Sequence, residues 1–143
     1  MKKILRNSLA VLLGWFGGSV VNMTLVQTGH QLLPLENIDM NDMLALSEVL
    51  PTLAPQYFLF PFLAHALGTL LGAFIAGMVA VTRRMQFSMA IGGLFLLGGI
   101  AVNYLLTGPL WFTALDILVA YIPMAYLGGK LSEKLVRQRA TVA

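Results

Sequence analysis

Charged side chains fall along this chain in short clusters separated by long apolar intervals. No Lys or Arg occurs between Arg6 and Arg83, and none between Arg84 and Lys130. Crossing roughly 30 Å of hydrocarbon takes about 20 apolar residues in a helix. The intervals therefore predict an all-α bundle of four transmembrane helices, over residues 8–28, 58–81, 87–106 and 110–129, forming a single integral membrane domain.

The remaining long segment, 29–56, is the polar loop between the first two spans, punctuated by Pro34, Pro51 and Pro55. Asn41 is placed to cap a short helix running through Leu50. On it Met43, Leu46, Val49 and Leu50 share one side while Asp42 and Glu48 turn to water. This pattern predicts a short amphipathic helix that lies on the membrane surface or lids the bundle. Thr107, Gly108 and Pro109 make a tight turn, with proline at the start of the fourth helix, and 82–86 make the other.

Charge placement then orients the spans. All nine Lys and Arg residues flank the ends of the spans that carry both termini, accompanied by Glu133 alone, whereas the 29–56 loop carries Glu36, Asp39, Asp42 and Glu48 and no base. The positive-inside rule places both termini in the cytoplasm, most naturally at a bacterial inner membrane. The apolar run after MKKILRN is longer than that of a secretory leader and has no clear A-x-A site, so it is expected to stay as a span. With 58% hydrophobic and 10% charged residues over 143 positions, the chain is too apolar for an ordinary soluble domain. The bases are spread over three membrane flanks, so no nucleic-acid partner is implied.

Four polar residues break the apolar intervals, one in each predicted span: Asn22, His65, Asn103 and Asp116. At 1.5 Å rise per residue they lie roughly 9, 11, 5 and 9 Å below the outer ends of their spans. Each also shares a face with small residues: Asn22 with Gly14 and Gly18, His65 with Gly68 and Gly72, Asn103 with Gly99 and Gly92, and Asp116 with Thr113, Ala120 and Pro123. Small residues are what membrane helices present to one another. The four are therefore expected to turn inward and form a polar pocket near the outer surface, with His65 paired to Asp116. Pro123 is expected to bend the fourth helix.

Two main readings follow, beside a weaker third in which the chain is an enzyme acting on lipid or quinone at the outer leaflet. In one, the pocket binds or transports a proton, a cation or a small polar ligand, with a homo-oligomer enclosing the path. In the other, the polar cluster locks the helices of a non-catalytic accessory or assembly subunit that has a membrane-protein partner. His30, Glu36, Asp39 and Asp42 lack the spacing of a metal site. No nucleophile motif or phosphate loop points to an enzyme, and no cofactor is expected. In size and span number the chain is similar to the small multidrug transporters and the small fluoride channels. It has neither the first-span glutamate of the former nor the signature motifs of the latter, and its one-sided charge argues against their antiparallel dimers. GGSVVN at 17–22 and GGIAVN at 98–103 form a weak internal repeat.

Overall fold

The computed structural model describes residues 2–36, 38, 39 and 42–142. Helix α1 spans Lys2–Leu32, α2 Met43–Val49, α3 Leu59–Val79, α4 Arg84–Leu105, α5 Leu110–Val119 and α6 Ile122–Val142. Single tight turns over Leu50–Thr52 and Pro55–Phe58 lead from α2 into α3, each with proline in its first turn. Four helical stretches are long and apolar enough to cross a membrane: Lys2–Leu32, Pro55–Val79, Arg84–Leu105 and Leu110–Thr141, the last built from α5 and α6. No strand occurs among the described residues.

Helix α3 is the central column. Its buried positions, Ala64, Ala66, Gly68, Thr69, Gly72, Ala73, Ala76 and Gly77, run along its length, and it packs against α1, α4 and α6. Almost all are small, so cohesion comes from close backbone approach and not from large interdigitating side chains. The α1 contact is the clearest case. A methyl group on Gly14 would lie 2.6 Å from the Gly72 carbonyl oxygen, and one on Gly72 would lie 2.7 Å from that of Gly14. Gly18 and Gly68 repeat the arrangement at 2.6 and 2.9 Å. Two G-x-x-x-G faces thus meet antiparallel, and neither can accept a side chain without separating the helices.

Helix α1 runs four residues past the expected boundary at 28. Gly29 is buried against the Phe60 ring, the Leu33 amide donates to the Gly29 carbonyl at 2.9 Å, and Pro34 prevents further helix. Just before the added turn, Thr24 and Thr28 return their hydroxyls to the carbonyls of Val20 and Thr24, both at 2.8 Å. At α2 the capping residue is Asp42, whose carboxylate accepts from the Leu44 and Ala45 amides at 3.0 and 3.2 Å. Asn41, the expected cap, lies outside the described residues.

At the end of the bundle that carries the termini, α1 and α4 side chains cap α3. Arg6 Nε donates to Val79 O at 3.2 Å and Arg84 Nη1 to Gly77 O at 2.7 Å, while the Asn7 amide donates to Thr82 Oγ1 and accepts from the Val81 amide. The turn closes through Arg83 in the left-handed region, φ 47° and ψ 42°. This conformation is costly for a side-chain-bearing residue and is held here by bonds on both sides.

The fourth stretch is broken at Ala120 and Tyr121, between α5 and α6. Pro123 supplies no amide hydrogen and its ring crowds the carbonyl four residues earlier, that of Val119. Backbone bonds resume on either side, from Ala120 N to Asp116 O at 2.9 Å and from Ala125 N to Tyr121 O at 2.8 Å. The bend expected from Pro123 is therefore a break two to three residues before it.

Candidate functional site

Asp116, on α5, is fully buried, and α3, α4 and the α5–α6 break each bring a donor to it. His65 of α3 reaches Oδ1 through Nδ1 at 2.8 Å. Tyr121, at the α5–α6 break, donates its hydroxyl to Oδ2 at 2.8 Å, and Asn103 of α4 donates Nδ2 to the same oxygen at 3.3 Å. The Asn103 amide is itself fixed: Nδ2 also donates to Gly99 O at 2.9 Å, and Oδ1 accepts from Thr113 Oγ1 at 3.0 Å. Carboxylate and amide are thus oriented by neighbours that use nearly all of their hydrogen-bonding capacity.

His65 is the accessible member, its side chain 16% exposed. Nδ1 faces the carboxylate and also lies 3.0 Å from the Tyr121 hydroxyl, whereas Nε2 enters none of these bonds. With Nδ1 donating to a carboxylate, the neutral ring carries its lone pair on Nε2. The Asp116 carboxylate therefore fixes ring orientation and favours that tautomer, an arrangement that leaves Nε2 to accept a hydrogen bond from a ligand group.

Two cavities meet at this ring. One, of about 230 Å³, lies beneath α2, with Met43, Leu46 and Leu50 above, Phe58 and Phe112 at the sides, and His65 and Asn103 below. Apart from His30, His65 and Asn103 its walls are aliphatic, aromatic or glycine. The other, of about 300 Å³, is a groove between α1 and α4, bounded by Trp15, Asn22, Leu94 and Gly98, with His65 and Tyr121 at its base. Asp116 lines neither and stands behind the imidazole.

Of the four residues that the sequence singles out, the structure joins His65, Asn103 and Asp116 in one network. Asn22 takes no part in it. Its Cβ packs where Gly68 leaves room, and its side chain borders the α1–α4 groove on the other side of His65. Tyr121 was not singled out, because residues five apart in an unbroken helix point about 140° away from each other. The signal that could have found it is Pro123, whose break changes that relation, together with Gly99, which sits against the Tyr121 ring and could not carry a side chain there. The opposite half of the bundle also holds buried hydroxyls: Ser88 donates to Ala73 O at 2.8 Å and Ser132 to Gly129 O at 2.7 Å. One turn from His65, the fully buried Thr69 hydroxyl has no partner among the described residues. No three His, Asp or Glu side chains gather to hold a metal among the described residues.

Fold and site together define an all-α chain with four helices fit to cross a membrane and a buried imidazole–carboxylate–phenol network that borders two cavities. No family model, curated protein or solved structure matches it.

Proposed function

We propose that this chain is a small integral membrane protein, with both termini cytoplasmic, that binds a small ligand in the cavity beneath α2 and recognises its polar group through His65. The observation that carries this reading is that His65, which lines that cavity, is held by Asp116 at 2.8 Å through Nδ1, with no bond to Nε2 among the described residues. A helix lock alone has no use for a histidine whose second nitrogen has no partner among the described residues. The walls refine the ligand class. They are mainly apolar, with His30, His65 and Asn103 the polar exceptions, and the Asp116 carboxylate lies behind the ring and not at the surface, so a hydrated cation meets no carboxylate and too few polar groups to replace its water. A molecule with an apolar body and one hydrogen-bonding group suits the space better. Transport of that molecule, with a homo-oligomer enclosing the path, extends the same proposal.

The competing reading is an accessory subunit of a membrane complex, and it is favoured by how nearly self-sufficient the bonding around Asp116 is. Thermal melting of the purified protein in detergent with n-hexanol, hexylamine or hexanoic acid separates the two. Under the ligand-binding reading at least one of these raises the melting temperature saturably, and His65→Gln abolishes the rise. A flat response to all three, with His65→Gln and Asp116→Asn folding as the wild type does and co-purification of a partner protein, favours the accessory subunit.

A further inference from the structure

The groove between α1 and α4 opens on the side of the bundle that, in the proposed orientation, faces hydrocarbon. Its rim carries Trp15, Met23 and Leu94, 53%, 57% and 45% exposed. A groove that only packed against lipid tails would be lined by apolar groups. This one is lined by Ser19, Asn22 and His65, and neither Ser19 nor Asn22 enters a side-chain hydrogen bond among the described residues. An amide that can donate two hydrogen bonds and accept two, set in a wall open to lipid, requires a partner that water in hydrocarbon does not supply.

The chemistry of that partner is constrained by charge. No Lys or Arg lies between Arg6 and Arg83 or between Arg84 and Lys130, so no fixed cation stands near the groove to pair with a phosphate. The loop beside this end of the bundle carries Glu36, Asp39, Asp42 and Glu48, which disfavours an anionic headgroup. Space for a chain is present alongside. At Gly98, on the α4 wall, an added methyl group would meet nothing within 4 Å.

We infer that the α1–α4 groove is a lateral binding site for a neutral single-chain amphiphile dissolved in the bilayer, its oxygen bonded by Asn22 and His65 and its chain lying along Gly98. The inference rests on the proposed ligand-binding role of His65 and adds to it the ligand's class and its entry from the membrane. Because both cavities border the same ring, an amphiphile entering from the bilayer reaches the imidazole without crossing α2.

The test uses the full chain in phosphatidylcholine nanodiscs and hexadecanol carrying a diazirine near its hydroxyl, with crosslinks mapped by mass spectrometry. Labelling of α1 and α4 groove residues should saturate and be competed by plain hexadecanol. Gly98→Leu, which fills open space, should abolish it, and Asn22→Ala, which adds no bulk, should raise the half-saturating concentration about tenfold; both variants should melt within a few degrees of the wild type without probe. A phosphatidylcholine bearing the diazirine on its acyl chain should label without saturation. Groove labelling by hexadecanol that rises in proportion to the probe, or is unchanged in Gly98→Leu and Asn22→Ala, overturns the inference, as does saturable labelling by the phospholipid. If His65-dependent stabilisation by short-chain compounds persists in that case, only the groove is lost; if it vanishes as well, the role of His65 fails too.

Discussion

The Tyr121 hydroxyl donates to Asp116 Oδ2 across 2.8 Å although the two residues are five apart on what would otherwise be one helix. The relationship exists because α5 ends at Val119 and α6 begins at Ile122, so the break ahead of Pro123 is a component of the site as well as a bend in a span. It also explains Gly99, whose missing side chain leaves the volume that the Tyr121 ring occupies.

Tyr121→Phe removes one buried donor while keeping the ring. The expected loss is about 1 kcal/mol, the net worth of a buried hydrogen bond with some desolvated acceptor left behind. It reads as a lower melting temperature in detergent with unchanged helix content. A variant as stable as the wild type would mean that the hydroxyl is not bonded to the carboxylate.

Asp116→Asn should cost more, about 2–3 kcal/mol, because three donors, from α3, α4 and the α5–α6 break, converge on the carboxylate. Combined with His65→Gln, the losses should fall well short of additive, since both substitutions break the same contact. Melting of the two single variants and the double variant checks this; strict additivity would place the residues apart.

Gly72→Ala should destabilise the bundle by about 1–3 kcal/mol, as its new methyl group meets the Gly14 carbonyl oxygen at 2.7 Å. Gly93→Ala is the control, because nothing lies within 4 Å of a methyl group there. Equal melting temperatures for the two variants would refute the close α1–α3 approach.

Much of this arrangement was legible in the chain and some was not. The G-x-x-x-G spacings at Gly14 and Gly18 and at Gly68 and Gly72 identified the packing faces, since spacing by four marks one side of a helix whatever its neighbours. That the two faces meet each other is a tertiary fact that spacing cannot supply. The convergence of His65, Asn103 and Asp116 followed from depth and face, both functions of residue number in regular helices. Asn22 satisfied the same arithmetic and yet lines the α1–α4 groove beside the imidazole, outside the bonds that converge on Asp116. Tyr121 escaped for the opposite reason: its position depends on an irregular segment where helical arithmetic fails.

Asp42→Ala should loosen α2 by about 1 kcal/mol through loss of the bonds to the Leu44 and Ala45 amides. Amide hydrogen exchange over residues 43–49 should quicken about fivefold while exchange in α3 stays unchanged. Equal acceleration in both helices would indicate global destabilisation and not the loss of a local cap.

The central claim is that Asp116 holds His65 by Nδ1 and leaves Nε2 for a ligand. Magic-angle-spinning NMR of the protein in bilayers, with histidine and aspartate labelled in nitrogen and carbon, tests it directly, because the chain has only two histidines, His30 and His65. The predicted spectrum has a protonated His65 Nδ1 with a through-space cross-peak to the Asp116 carboxyl carbon, and the cross-peak is lost in Asp116→Asn. A His65 ring protonated only at Nε2, with no transfer to Asp116, would contradict the account.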